Sequence, residues 1–153
     1  MTLMDPTPID RRPVLLIEDN PDDQLLTQIA FEKGHVANEL IAVGTGELGL
    51  DYLFRRGVYA DRPADKAPAV VLLDVNLPGI NGFQVLETVR AHPVARVQPI
   101  IMLTSSDRDD DIMRAYGSGV NAYMRKPVDV DAFVKAIVQM NLFWFVVNRN
   151  PTY

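Results

Sequence analysis

The chain has 153 residues, 48% hydrophobic and 23% charged, the balance of one soluble globular domain rather than a disordered, collagen-like or repeat protein. With 15 basic against 20 acidic residues the net charge is −5 and no basic stripe is visible, which argues against a nucleic-acid partner. Cysteine is absent and only 2 histidines occur, so disulfides, thiolate or His-rich metal sites and cysteine nucleophiles are excluded. No apolar run approaches the roughly 20 residues that cross a bilayer, and the first residues lack the apolar stretch of a signal peptide; the expectation is a cytoplasmic protein with no membrane partner.

In chain order, Met1–Pro13 holds three prolines and reads as a loose arm (1–13). Val14-Leu15-Leu16-Ile17 is a short continuous apolar run, the pattern of a strand buried on both faces, and it ends in Glu18-Asp19. Asn20-Pro21-Asp22-Asp23 opens a helix expected from Pro21 to Lys33 and stopped by Gly34. A second strand follows over Glu39–Val43 and a second helix over Thr45–Phe54. Arg55–Pro68 reads as a longer polar connection, and Ala69–Asp74 as the clearest strand, again ending in an acid. Pro78-Gly79 and Asn81-Gly82 mark a turn before a third helix over Phe83–Ala91. Pro99–Leu103 is a fourth strand running into Thr104-Ser105, Asp107–Tyr116 a fourth helix closed by Gly117, and Ala122–Met124 a fifth strand before Arg125-Lys126-Pro127. A last helix is expected over Asp129–Val147. Five β-then-α units imply an α/β fold with a parallel, doubly wound sheet and right-handed connections.

Ligands of such sheets bind beyond the carboxyl ends of the strands. The residues there are Glu18, Asp19, Gly44, Asp74, Thr104, Ser105, Lys126 and Pro127, so three carboxylates, a hydroxyl and an ammonium converge at one edge. Crowded carboxylates raise one another's pKa, and a hard divalent cation relieves the repulsion; oxygen ligands from few residues suit Mg²⁺, which keeps several waters. Read singly, the same acids would only cap a helix or a turn.

The ordered set Glu18-Asp19, Asp74, Pro78 with Gly82, Thr104-Ser105, Tyr123 and Lys126-Pro127 resembles the receiver domains of two-component response regulators, over about Val14 to Phe145. The resemblance implies a five-stranded flavodoxin-like sheet with an extended C-terminal helix, a receiver domain over 14–147 and a short tail over 148–153. It implies that Asp74 accepts a phosphoryl group from the phosphohistidine of a sensor histidine kinase, in work that is positioning and charge stabilisation. By the same resemblance Asp19 and Asp74 ligate Mg²⁺, Glu18 holds it through water and the Asn76 backbone carbonyl adds an oxygen. Lys126, Thr104 and Ser105 meet the phosphoryl oxygens, Pro127 follows a cis peptide that aims Lys126, and Thr104 with Tyr123 forms the switch. Gly79 departs from the larger residue that many relatives carry there, while Asn76 and Ser106 stand where relatives tune dephosphorylation.

The long connection Arg55–Pro68, Tyr116, the aromatic end of the last helix and the Asn-Pro tail resemble the stand-alone response regulators paired with bacterial phytochromes, making such a phytochrome a kinase to expect. Phe133, Ile137, Met140, Trp144 and Val147 form one apolar seam of the last helix, for the sheet. Val130, Val134, Val138 and Phe145 form a second stripe, which is assigned to a homodimer interface. Since the receiver domain takes nearly all of the 153 residues, output is expected through a protein-interaction surface rather than an attached domain.

Other readings are weaker. A phosphatase with an aspartyl intermediate needs an acid two residues after the nucleophile, where Asn76 stands. A receiver-fold module that is never phosphorylated has no use for the intact Asp74, Asp19, Thr104 and Lys126. The protein is therefore expected to be no enzyme beyond assisting its own phosphotransfer and autodephosphorylation. Gly44, Gly46 and Gly49 match a dinucleotide fingerprint, but after the second strand and with no acid closing a strand about 20 residues on, so they are assigned to a turn. Asp107, Asp109 and Asp111 imitate a calcium loop, yet Ile112 stands where glycine is needed and Ser118 where the bidentate acid is needed. His35 and His92 sit in no motif.

Overall fold

The computed structural model describes residues 12–105, 114–117 and 119–140. Strands β1 (Val14–Ile17), β2 (Leu40–Val43), β3 (Val70–Asp74), β4 (Ile100–Thr104) and β5 (Ala122–Arg125) form one parallel sheet in the order β2-β1-β3-β4-β5. Helices α1 (Pro21–Lys33), α2 (Gly46–Phe54) and α3 (Gly82–Ala91) and the last helix (Val130–Gln139) connect or cover it. Every residue of β1, β3 and β4 is buried, which is why their sequences are continuous apolar runs rather than alternating ones.

Successive side chains leave the sheet on opposite faces. Leu15, Ile17, Leu73 and Met102 pack toward Leu50 of α2 and Leu86 of α3. Leu16, Leu72 and Ile101 share the other core with Phe31 of α1 and Phe133 of the last helix, whose ring centroids are 5.0 Å apart. Burying one such side chain contributes about 1.5–3 kcal/mol, so the two cores fix the sheet and hence the alignment of its strand ends.

Helix starts follow their caps. The Asn20 side chain accepts from Asp22 N and Asp23 N, Thr45 caps α2, and Asn81 with Gln84 closes a capping box on α3. Because β1 ends only three residues before α1 begins, the cap fixes where the first turn of α1 stands relative to the strand.

The Arg55–Pro68 connection is more ordered than its polar composition suggests. It contains two short 3₁₀ turns, Gly57–Tyr59 and Ala64–Lys66. Arg62 is only 8% exposed: its Nε donates to the Tyr52 carbonyl at 2.8 Å, its Nη1 to the Pro63 carbonyl at 3.1 Å, and its guanidinium lies over the Tyr52 ring. Two of the fingerprint glycines serve packing, since a side chain at Gly46 would strike Ile80 and Val85 and one at Gly49 would strike Ile17, whereas one at Gly44 would meet nothing within 4 Å.

Arg90 closes the opposite end of the sheet. It donates to the carbonyls of Gly119 (2.7 Å), Arg96 (3.0 Å) and Gln98 (2.8 Å) and to Asn121 Oδ1 (2.8 Å), an oxygen that also accepts from Ile100 N. Arg90→Ala removes four hydrogen bonds that tie α3 to the starts of β4 and β5, and a loss of about 2–3 kcal/mol in urea unfolding is expected, against under about 0.5 kcal/mol for a surface control such as Glu87→Ala.

The last helix buries Phe133 and Ile137, with Met140 packed at the margin of the core. On its second stripe Val130 lies against Gly34 of this same chain, Val134 is half-buried and Val138 is 50% exposed. Phe145, Trp144 and Val147 lie outside the described residues, as do Asp107, Asp109 and Asp111; of the predicted fourth helix, residues 114–116 are described and helical. Among the described residues no helix is long and apolar enough to cross a membrane.

Candidate functional site

The carboxyl ends of β1, β3, β4 and β5 bring the polar residues together. Glu18 follows β1 and is 1% exposed, its N–H continuing the ladder to the Val43 carbonyl at 3.0 Å. Asp19 beside it is exposed. Asp74 closes β3 and is 2% exposed; its Oδ1 accepts from Asn76 N at 2.9 Å. Thr104 closes β4, fully buried, and its backbone carbonyl accepts from Lys126 N at 2.7 Å, while Ser105 is exposed. The Lys126–Pro127 peptide is cis.

Lys126 organises the acids. Its Nζ donates to Glu18 Oε1 at 2.6 Å, to Asp74 Oδ2 at 2.9 Å and to Asp23 Oδ2 at 3.1 Å. Burial would lower the Lys126 pKa, but the bonds to Glu18 and Asp74 outweigh it and the ammonium is held above its usual range. Burial, reinforced by the neighbouring Asp74, pushes Glu18 up to about 8 against the opposing pull of Lys126. The Lys126 bond draws Asp23 below the usual carboxylate range, against a smaller effect of burial.

Asp23 is the member that sequence reasoning missed. Its place in the first turn of α1 suggested only a complement to the helix dipole. The Asn20 cap starts α1 so close to β1 that Asp23 reaches across to the end of β5, a long-range closeness that no local pattern reveals.

Glu18, Asp19 and Asp74 each offer a carboxylate oxygen within 4.8 Å of the others'. Glu18 Oε2 is buried and has no hydrogen-bond partner among the described residues, so one oxygen of the cluster is left for a metal or for a water on it. An all-oxygen donor set of this kind fits a hard divalent cation.

Tyr123 on β5 is half-buried against the core, and its hydroxyl is buried without a partner among the described residues. It lines an open cleft of about 560 Å³ with Tyr116, Arg125, Lys126 and Lys135, between β5 and the last helix. Gly79 takes a left-handed backbone (φ 72°), a conformation that a residue with a Cβ adopts only with strain. His92 stacks on Phe54 at 4.5 Å, and its Nδ1 accepts from Val94 N and Ala95 N, beside Pro68 and Pro99 at the starts of β3 and β4 and away from the strand ends of the site.

Comparison with known proteins agrees with this geometry. The family model described as the response regulator receiver domain matches residues 14–138. The solved bacteriophytochrome response regulator AtBRR is 46% identical, with a TM-score of 0.81 over 90% of this chain and 98% of its own. Response regulator Rcp1 of Synechocystis sp. is 30% identical over 86% of this chain and 87% of its length, and its Mn²⁺-bound crystal form superposes with a TM-score of 0.70. The probable methanogenesis regulatory protein FilR2 of Methanothrix harundinacea is 32% identical over 90% of this chain and 86% of its own. The chain belongs to the response regulator receiver domain family.

Proposed function

We propose that Asp74 accepts a phosphoryl group from a sensor histidine kinase in a Mg²⁺-dependent transfer, and that the acyl phosphate switches a protein-interaction surface. The observation that carries this reading is the setting of Asp74: buried at the end of β3, with one oxygen on Lys126 and two further carboxylates within 4.8 Å. A carboxylate is a weak nucleophile, so the residues around it act by alignment and by neutralising charge. Asp19, Asp74 and the Asn76 carbonyl would hold Mg²⁺ directly and Glu18 through water; the bound ion supplies charge neutralisation for the phosphoryl oxygens. Lys126 compensates the charge that gathers on the transferred group. Ser105 and the Thr104 hydroxyl donate to its remaining oxygens.

The phosphoryl group adds about −1.5 to −2 charges beside Lys126, which in the resting protein is shared among three carboxylates. Redirecting Lys126 and Thr104 toward the new group changes the end of β4 and the neighbouring β5. Tyr123, whose hydroxyl has no partner among the described residues, has a hydrogen bond to gain by turning. The same site that receives the group also returns it to water, which makes the chain an assistant to its own phosphotransfer and autodephosphorylation rather than an enzyme acting on other substrates. The similarity to bacteriophytochrome response regulators supports a bacterial phytochrome as the kinase.

The experiment is incubation with Mg²⁺ and beryllofluoride, which occupies an aspartyl-phosphate site as a phosphoryl mimic. Shifts of the β4, β5 and Tyr123 amide resonances are expected with both reagents together and not with beryllofluoride alone; an unchanged spectrum refutes the reading. The exposed part of the second stripe, Val138 with half-buried Val134, supports a homodimer through the last helix. Equilibrium sedimentation at high micromolar concentration is expected to show dimer, and monomer alone with and without beryllofluoride would remove that assignment.

A further inference from the structure

A second cleft, of about 460 Å³, opens beside the acidic cluster and is lined by Asp19, Asn76, Pro78, Asn81, Phe83 and Arg114, among others. It therefore joins two proposed metal ligands, Asp19 and Asn76, and the loop after Asp74 to a cation from a distant part of the sequence. The Arg114 guanidinium carbon lies 4.1 Å from the centroid of the Phe83 ring. That ring is a fixed support: Phe83 is 3% exposed and follows Gly82, whose N–H donates to the Val75 carbonyl at 3.1 Å, directly behind the acceptor strand.

The charge balance of the region gives Arg114 a task. Glu18, Asp19, Asp23 and Asp74 gather at the site, and Lys126 is bonded to three of them. A phosphodonor carrying one or two negative charges approaches against this field. Arg114 takes part in no hydrogen bond or ion pair among the described residues, so its five N–H donors are uncommitted. A guanidinium presents those donors in a planar fork suited to phosphate oxygens, and stacking on an aromatic face holds the fork without consuming any donor.

We propose that Arg114 is a donor-binding residue: it binds the anionic phosphoryl group of the incoming phosphodonor in the cleft between Asp19 and Phe83 and delivers it to Asp74. The inference rests on the reading of Asp74 as phosphoacceptor. With acetyl phosphate the step balances without a proton: an Asp74 carboxylate oxygen bonds to phosphorus, the bond from phosphorus to the acetyl oxygen breaks, and acetate leaves with the electron pair. Small acyl phosphates and a protein phosphohistidine share the phosphoryl group that Arg114 recognises.

The test measures Mg²⁺-dependent labelling of the full chain, wild type, Arg114→Gln and Arg114→Lys, over a range of acetyl phosphate and separately with a phosphohistidine-bearing kinase domain. Arg114→Gln is expected to raise the half-saturating acetyl phosphate concentration about tenfold while leaving the maximal rate and the Mg²⁺ requirement unchanged. Arg114→Lys recovers part of the loss, and added salt slows the wild type more than Arg114→Gln. A purely structural role moves none of these separately from thermal stability. Phe83→Leu, which removes the ring and keeps the cation, is a second variant and is expected to weaken donor binding several-fold. An equal effect on both donors places Arg114 on the shared phosphoryl group; an effect on acetyl phosphate alone confines it to small donors. An unchanged half-saturation with acetyl phosphate, while the wild type labels normally, overturns the Arg114 proposal. A wild type that no donor labels overturns the Asp74 reading instead.

Discussion

Asp74→Asn is expected to lower phosphoryl labelling by acetyl phosphate or a kinase by at least about 10³-fold, the scale on which removal of a covalent nucleophile is felt. The variant should remain folded, and the contacts say why. An Asn amide oxygen can still accept from Asn76 N, the bond that shapes the loop after β3. The substitution gives up the Lys126 bond at 2.9 Å but also removes one of the carboxylates that crowd the cluster. The two changes oppose each other, so stability is expected within about 1 kcal/mol of wild type, measured by urea unfolding. Labelling lost together with folding would leave the chemistry unassigned to Asp74 and would contradict this account of the cluster.

The second large effect lies at Gly82. A Cβ there would fall well inside contact distance of the Asp74 carbonyl oxygen and 2.9 Å from Val75 Cα. Both obstacles are backbone, so no rotamer change relieves them; the start of α3 and the end of β3 must separate. Gly82→Ala is expected to cost about 2–3 kcal/mol and to slow labelling even where the protein is still folded, because the displaced segment carries Asp74. Gly44→Ala is the matched control: a Cβ there meets nothing within 4 Å, and stability and labelling are expected to stay near wild type. Similar behaviour of the two variants would mean that Gly82 does not set the position of the acceptor.

The contrast between these glycines shows what the sequence makes legible. Strands buried on both faces write themselves as continuous apolar runs, so β1, β3 and β4, the acids that end β1 and β3 and the hydroxyls that end β4 are readable from local composition. Helix α1 is readable from its cap and stop rather than its periodicity; Leu25 and Leu26 are exposed while Thr27 and Phe31 are buried. Pairings set by the tertiary fold are not readable this way. Asp23 meets Lys126 across more than a hundred residues, and Arg114 meets Phe83 between separate helical segments. Arg62, in a stretch whose composition suggests a solvated loop, is buried because two carbonyls and an aromatic face receive it. The second stripe of the last helix shows the converse: periodicity marks Val130 as free for a partner, and the fold places it against Gly34.

The central claim is that Asp74, and no other carboxylate of the cluster, carries the phosphoryl group. Borohydride reduces an acyl phosphate to an alcohol, converting a phosphorylated aspartate to homoserine and marking its position permanently. After incubation with acetyl phosphate and Mg²⁺, reduction and peptide mass spectrometry, homoserine is expected at position 74 and not at 19 or 23, and omission of Mg²⁺ should suppress it. Homoserine at Asp19 or Asp23, or label at position 74 that is indifferent to Mg²⁺, would contradict the account.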